Sequence, residues 1–288
     1  MTCSLCQKNK DLRESHVIPK FVSKWLKETS ATGYLRQAVQ PNLRKQDFST
    51  ERLLCGDCEN LFSRWENSFA ESIFFPYLND GKREFEYDNW LLKFSVSLIW
   101  RLGVSELDGF RSYQPQLISH LEQALSVWRN YLLDDVPMQE SYGFHLFFMD
   151  YVKSVQGGSL PEGFHWYTLR GVDGTLPANE SEVYGFVKLP AMVFFSGIMP
   201  RRPSKLKNTR ILEHGKIKAS NQNISNRVFG EFYVDRAQQS WAMIETTSEK
   251  QREKIQETID KDPERNIKSH SFQVFLAEQY WKSKQKAG

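Results

Sequence analysis

All four cysteines of this 288-residue chain fall in two C-x-x-C pairs, Cys3-Ser4-Leu5-Cys6 and Cys55-Gly56-Asp57-Cys58. A C-x-x-C turn presents two thiolates on one side of a tight knuckle. Two knuckles brought together supply the tetrahedral sulfur set that Zn²⁺ prefers. The spacing therefore predicts a structural zinc held by Cys3, Cys6, Cys55 and Cys58. The competing chemistry is a pair of disulfides or four unrelated thiols. Against it, cysteines only three positions apart make strained disulfides, and the rest of the chain has no cysteine and no secretory pattern. Between the knuckles lie 48 residues, more than a minimal zinc ribbon needs, so the site must also fasten an inserted segment.

That segment opens with Ser15-His16-Val17-Ile18-Pro19-Lys20 and closes on Leu53-Leu54-Cys55-Gly56-Asp57-Cys58-Glu59. The order C-x-x-C, then a His-x-x-Pro strand end, then Leu-Cys-x-x-Cys opening a helix resembles the HNH, or ββα-metal, nuclease family. The resemblance covers residues 3–75. It implies a treble-clef-like zinc module in which His16 is the general base that activates water. A neighbouring acid and a His or Asn on the helix then hold one divalent metal. Two positions depart from the family pattern. Ser15 stands where an acid directly before the histidine is usual, and Glu59 follows the last cysteine where His or Asn is usual. A carboxylate replaces either as a hard oxygen ligand for Mg²⁺ or Mn²⁺, so Glu59 is carried over as a catalytic residue and ligand. Glu14, on the strand face of His16, is a further candidate ligand. Asn42 is the counterpart of the family's central Asn.

These groups need elements to position them. Residues 11–19 read as a short strand delivering His16, and residues 21–27 as a brief helix around Trp25. Residues 33–49, with Pro41 and Asn42, read as a loop. From Glu59 the pattern turns helical: Leu61, Trp65, Phe69 and Ile73 recur every four residues and stop before Pro76. Glu59, Ser63 and Glu66 line a neighbouring face of that helix. The plainer account is that Glu59 complements the helix N-terminus and Glu66 is solvated. Residues 13–45 carry seven basic side chains, among them Lys20, Lys24, Arg36 and Arg44, against two acidic ones. Residues 201–218 carry seven, including Arg201, Arg202, Lys205 and Lys207, against one. Both stretches suit phosphate contacts, and both equally suit a solvated face.

The turn at Asn79-Asp80-Gly81 divides the chain into a zinc-stabilised domain, 1–80, and a recognition domain, 81–288. In the latter, residues 88–102 are apolar nearly all round and predict a buried helix. A second helix follows at 115–133, its end marked by Asp134, Asp135 and Pro137. Strands are expected at 142–152, 164–169, 182–189 and 192–198, with a break at Gly157-Gly158. A further strand pair is expected at 227–235 and 240–246, then helices at 248–260 and 271–284. His145 and His165 read as packing or surface residues in strands. The fold class is α+β: a four-cysteine zinc module, a helical linker core, an antiparallel sheet and C-terminal helices.

Net charge of +3 and a pI near 8.5 do not announce a nucleic-acid binder, so any such role rests on the local patches. An aromatic content of 14% suggests an aromatic-rich core or contact surface. No apolar run reaches the roughly 18 residues of a membrane span, the start lacks a signal pattern, and no membrane role is expected. The expectation is a cytoplasmic protein with reduced thiols. Its expected function is hydrolysis of phosphodiesters in nucleic acid, DNA foremost, by an HNH-type endonuclease needing Mg²⁺ or Mn²⁺, in defence against foreign DNA. The alternatives are a non-catalytic zinc module that binds nucleic acid or protein, and an adaptor or effector subunit with a protein partner or a second copy of itself.

Overall fold

The apolar run near residue 90 becomes the helix Asn89–Ser105, buried from Leu91 through Gly103. A computed structural model describes residues 1–134, 136–139, 141–152 and 159–287. The expected break at Gly157-Gly158 and the helix-end signal at Asp135 lie outside the described residues. The chain falls into two compact units, each assembled from separated stretches. Residues 1–19, 49–148 and 173–225 form the first; residues 20–48, 149–172 and 226–288 form the second.

In the first unit an antiparallel sheet runs in the order Arg210–Ile211, Phe144–Phe148, Met192–Met199, Val183–Leu189, Asp173–Thr175. Strands Phe144–Phe148 and Val183–Leu189 are buried at every position, which is why their sequences read as apolar runs. The buried helix lies so close to this sheet that a Cβ on Gly185 would stand 2.3 Å from Ile99 Cγ2. Helix Gly56–Phe69 joins the same core through Phe69, which stacks on Phe94 at 4.3 Å and meets Phe194 edge-on at 5.3 Å. The helical path does not stop before Pro76. It passes through a π turn, Ala70–Phe74, into helix Phe75–Asn79, with Pro76 just after the junction.

His145 sits in this sheet at 5% exposure, its Nδ1 2.9 Å from Thr209 Oγ1. Burial, with the charge of Arg210 adding, lowers its imidazole to about 4. The unfolded chain takes up a proton near pH 6.5 that the folded chain refuses until about pH 4. Stability from this group is therefore complete above pH 6.5 and falls as pH drops through that window, by about 3 kcal/mol in all. Urea unfolding between pH 7 and pH 4 is expected to show a shallower decline in His145→Gln than in wild type. Parallel declines would mean that His145 protonates as freely folded as unfolded.

The second unit is mostly helical, and it corrects three expectations. Residues 164–169 form not a strand but the helix Phe164–Arg170, so His165 is on a helix. The expected strand pair at 227–246 is one helix, Arg227–Glu245, capped by the Asn226 side chain accepting from Phe229 N. Both segments are rich in aromatic residues, which suits either state. The helical state wins because it brings Phe164 and Tyr167 against Tyr233, with ring centroids 5.9 and 5.3 Å apart. Residues 33–49 are not simply a loop, since Leu35–Gln37 and Gln40–Lys45 pair as an antiparallel hairpin. Helices Lys20–Glu28, Glu249–Asp260, Pro263–Lys268 and His270–Ala287 complete the unit. The fold class is thus α+β, with helices and antiparallel sheets, and among the described residues no helix is long and apolar enough to cross a membrane.

Candidate metal centre

The first knuckle is a tight turn in which Cys3 N donates to Lys8 O at 3.0 Å and Gln7 N to Cys3 O at 2.9 Å. Gln7 takes a positive φ of 58° to close it. The second knuckle is delivered alongside by backbone pairing: Ser4 N donates to Leu53 O, Arg13 N to Leu54 O, and Leu12 bridges to Cys55. Cys55 is the N-cap of helix Gly56–Phe69 and Cys58 lies in its first turn. The four sulfurs end within 4.8 Å of one another, and Cys6 Sγ is 3.8 Å from Cys55 Sγ. A metal with sulfur bonds of ~2.3 Å makes a tetrahedron with edges of ~3.8 Å, so the donor set fits a four-coordinate ion such as zinc. No disulfide joins the four cysteines in this structure.

The environment supports thiolate formation unevenly. Burial pushes the Cys3 and Cys58 thiols up. At Cys55 burial acts in the same sense but is outweighed by the Cys58 N–H and by hydrogen bonds from the neighbouring thiols, which bring it to about 7. An exposed ion pair, Lys10 to Asp57 at 2.5 Å, ties the first knuckle to the second and contributes little by itself.

Beside the cysteines lies a second cluster. Ser15 and His16 form a two-residue strand antiparallel to Thr50–Glu51. Ser15 is fully buried, and its hydroxyl donates to Glu59 Oε1, so the position before the histidine and the position after the last cysteine are bonded to each other. The His16 carbonyl accepts from Arg101 Nη1 at 2.8 Å, and the same Nη1 lies 2.7 Å from Glu66 Oε1. Glu66 is therefore paired and only partly exposed. Glu14 is exposed. Among the described residues the cysteines are the one group of three or more His, Cys, Asp or Glu whose ligand atoms converge. Around Glu59, then, a hard cation would find fewer than three such side chains and would draw its other ligands from water and substrate, as Mg²⁺ commonly does.

Arg101 does not stand out by motif or spacing. Its signal in the sequence is of another kind: an arginine, like Lys93, embedded in an otherwise apolar helix must find a partner when buried. Arg101 meets Glu66 and the His16 carbonyl; Lys93 meets the Tyr131 carbonyl.

Asn42, Lys20, Lys24, Arg36 and Arg44 belong to the second unit. Asn42 Oδ1 accepts from Ser248 N at 2.8 Å, at the N-cap residue of helix Glu249–Asp260. Lys20 is exposed, and Lys24 faces Glu28 at 3.9 Å. Arg44 lies over the Tyr34 ring at 4.2 Å and, with Lys254, Glu257, Thr258 and Lys261, lines an open cleft of about 600 Å³. Burial, and then the charge of Arg44, lower Arg36 below its usual range. In the first unit Arg202, Lys205 and Lys207 are exposed, while Arg201 donates to Gln123 Oε1 at 2.8 Å. Lys216 and Lys218 pair with Glu86 and Glu84 across a two-stranded sheet, which removes two charges from the basic excess of that stretch. Comparison with known protein families, curated proteins and solved structures finds no match for this chain.

Proposed function

We propose that the four cysteines hold a structural zinc and that the centre beside them is of HNH type, hydrolysing phosphodiesters in nucleic acid. The observation that supports this most directly is the Ser15–Glu59 hydrogen bond, because it ties the strand carrying His16 to the first turn of the helix that starts at Cys55. His16 takes the proton from the attacking water, and Glu59 is the carboxylate that would hold Mg²⁺ or Mn²⁺. When bound, that ion supplies charge for the developing phosphorane and the leaving oxygen. With so few protein ligands its affinity is low, so activity depends on added ion. The exposed basic side chains Lys205 and Lys207 suit phosphate contacts that carry no sequence information.

A second reading has its own support. Glu59 already accepts from Ser15, and no further group of three or more His, Cys, Asp or Glu converges among the described residues. On that reading the zinc module binds nucleic acid or a protein without cutting. Zinc-loaded wild type, His16→Ala and Glu59→Ala, incubated with plasmid and with single-stranded RNA in Mg²⁺ or Mn²⁺, separate the two. Cleavage by wild type, slowed at least ~100-fold in His16→Ala with zinc retained, is the expected result. Equal cutting by His16→Ala removes His16 as the base; retention of DNA in a gel without cutting by wild type selects the binding module.

A further inference from the structure

We propose that the second unit carries a binding pocket for a nucleoside monophosphate, independent of the chemistry assigned to His16. A cavity of about 610 Å³ opens between helices Phe164–Arg170 and His270–Ala287, lined by Tyr151, His165, Leu276, Tyr280, Trp281 and Lys284 among others. Small-molecule sites are of this size, roughly 300–1,000 Å³, and are likewise mostly apolar with a few convergent polar groups.

The polar group here is a histidine fixed by a carboxylate. His165 Nδ1 lies 3.1 Å from Glu278 Oε2, and both residues are nearly inaccessible, at 1% and 4%. The other oxygen of Glu278, Oε1, is buried with no hydrogen-bond partner. Burying a carboxylate with half its accepting capacity unmet is costly, and two apolar side chains would hold these helices together better. What the arrangement does accomplish is tautomer control. The carboxylate accepts the Nδ1–H hydrogen bond, which leaves Nε2 as the ring nitrogen with a lone pair for a donor in the cavity.

The walls define what carries that donor. The Tyr151 ring lies 6.3 Å from the His165 ring at 29°, and Trp281 meets His165 edge-on at 6.0 Å. Leu276 and Tyr280 remain 50% and 59% exposed at the rim, an apolar and aromatic surface suited to the face of a planar ring. Lys284 sets its ammonium 4.9 Å over the Tyr280 ring, so a cation stands beside the stacking surface. A planar ring bearing an N–H donor and linked to an anion satisfies all three features. A nucleoside monophosphate is that combination: base edge to His165, base face to the aromatic walls, phosphate to Lys284.

Isothermal titration of the full chain with AMP, GMP, CMP and UMP, and with the corresponding nucleosides, tests the assignment. At least one nucleotide is expected to bind saturably at one site per chain. Lys284→Ala should weaken that nucleotide about tenfold, the worth of one charge-assisted contact, while leaving its nucleoside unchanged. Tyr280→Ala should weaken both. Glu278→Gln keeps the volume but no longer fixes the tautomer, and should weaken both as well if its melting shows it folded. Tyr280 and Lys284 are exposed, so their variants remain informative if Glu278→Gln does not fold. No heat with any of the four nucleotides, or unchanged affinity in both Tyr280→Ala and Lys284→Ala, overturns the proposal.

Discussion

Replacing Cys58 with serine is expected to unfold the knuckle region of the first unit. Cys58 is 5% exposed, is one of four converging sulfurs, and stands in the first turn of the helix that continues into the Phe69–Phe94–Phe194 core. Three sulfurs and a hydroxyl hold zinc far less well. The metal also contributes folding free energy directly, with apparent binding of ~10–16 kcal/mol in small zinc modules. Without it, thiols buried at the Cys3 and Cys58 positions remain in place of the bonds that offset their burial. Elemental analysis should find one zinc per wild-type chain, and the serine variant or chelator-treated wild type should lose the cooperative unfolding of this region. Wild type prepared without chelator that contains no zinc, or chelated protein that melts as before, rules out the structural metal.

The second large effect is expected at Arg101. Its guanidinium is 2% exposed, pairs with Glu66 at 2.7 Å, donates to the His16 carbonyl at 2.8 Å, and lies over the Phe62 ring at 5.3 Å. Arg101→Met fills much of the volume but leaves the Glu66 carboxylate, 18% exposed, without its counter-charge, and the His16 carbonyl without its donor. Removing one partner of a fully buried pair costs roughly 3–5 kcal/mol, and the partial exposure of Glu66 puts the expected loss toward the lower end of that range. Changing Glu66 to Leu in the same chain removes the stranded charge and should recover a good part of that loss, so the double-mutant cycle reports strong coupling. Urea midpoints of the four proteins measure it. Additive single effects, or a loss under ~1 kcal/mol in Arg101→Met, mean that the pair is not what holds the strand of His16 in place.

The amino-acid sequence by itself determined whatever depends on neighbours a few positions apart. Two C-x-x-C turns foretell converging sulfurs, because three positions suffice to make a knuckle. The four-residue stripe from Leu61 foretells a helix, and the apolar run near residue 90 a buried one. Strands Val183–Leu189 and Met192–Met199 were legible because they are joined by a short turn and buried nearly throughout. Where one stretch suits two states, the short-range pattern does not choose between them. Aromatic segments 164–169 and 227–246 are helices in the folded chain, where Tyr233 packs against both Phe164 and Tyr167. Only the tertiary structure decided the polar partnerships. Ser15 meets Glu59 across 44 residues, His16 meets Arg101 across 85, and His165 meets Glu278 across 113. A buried polar group must be satisfied, but which distant residue satisfies it follows from how the chain closes on itself, and no local periodicity records that choice.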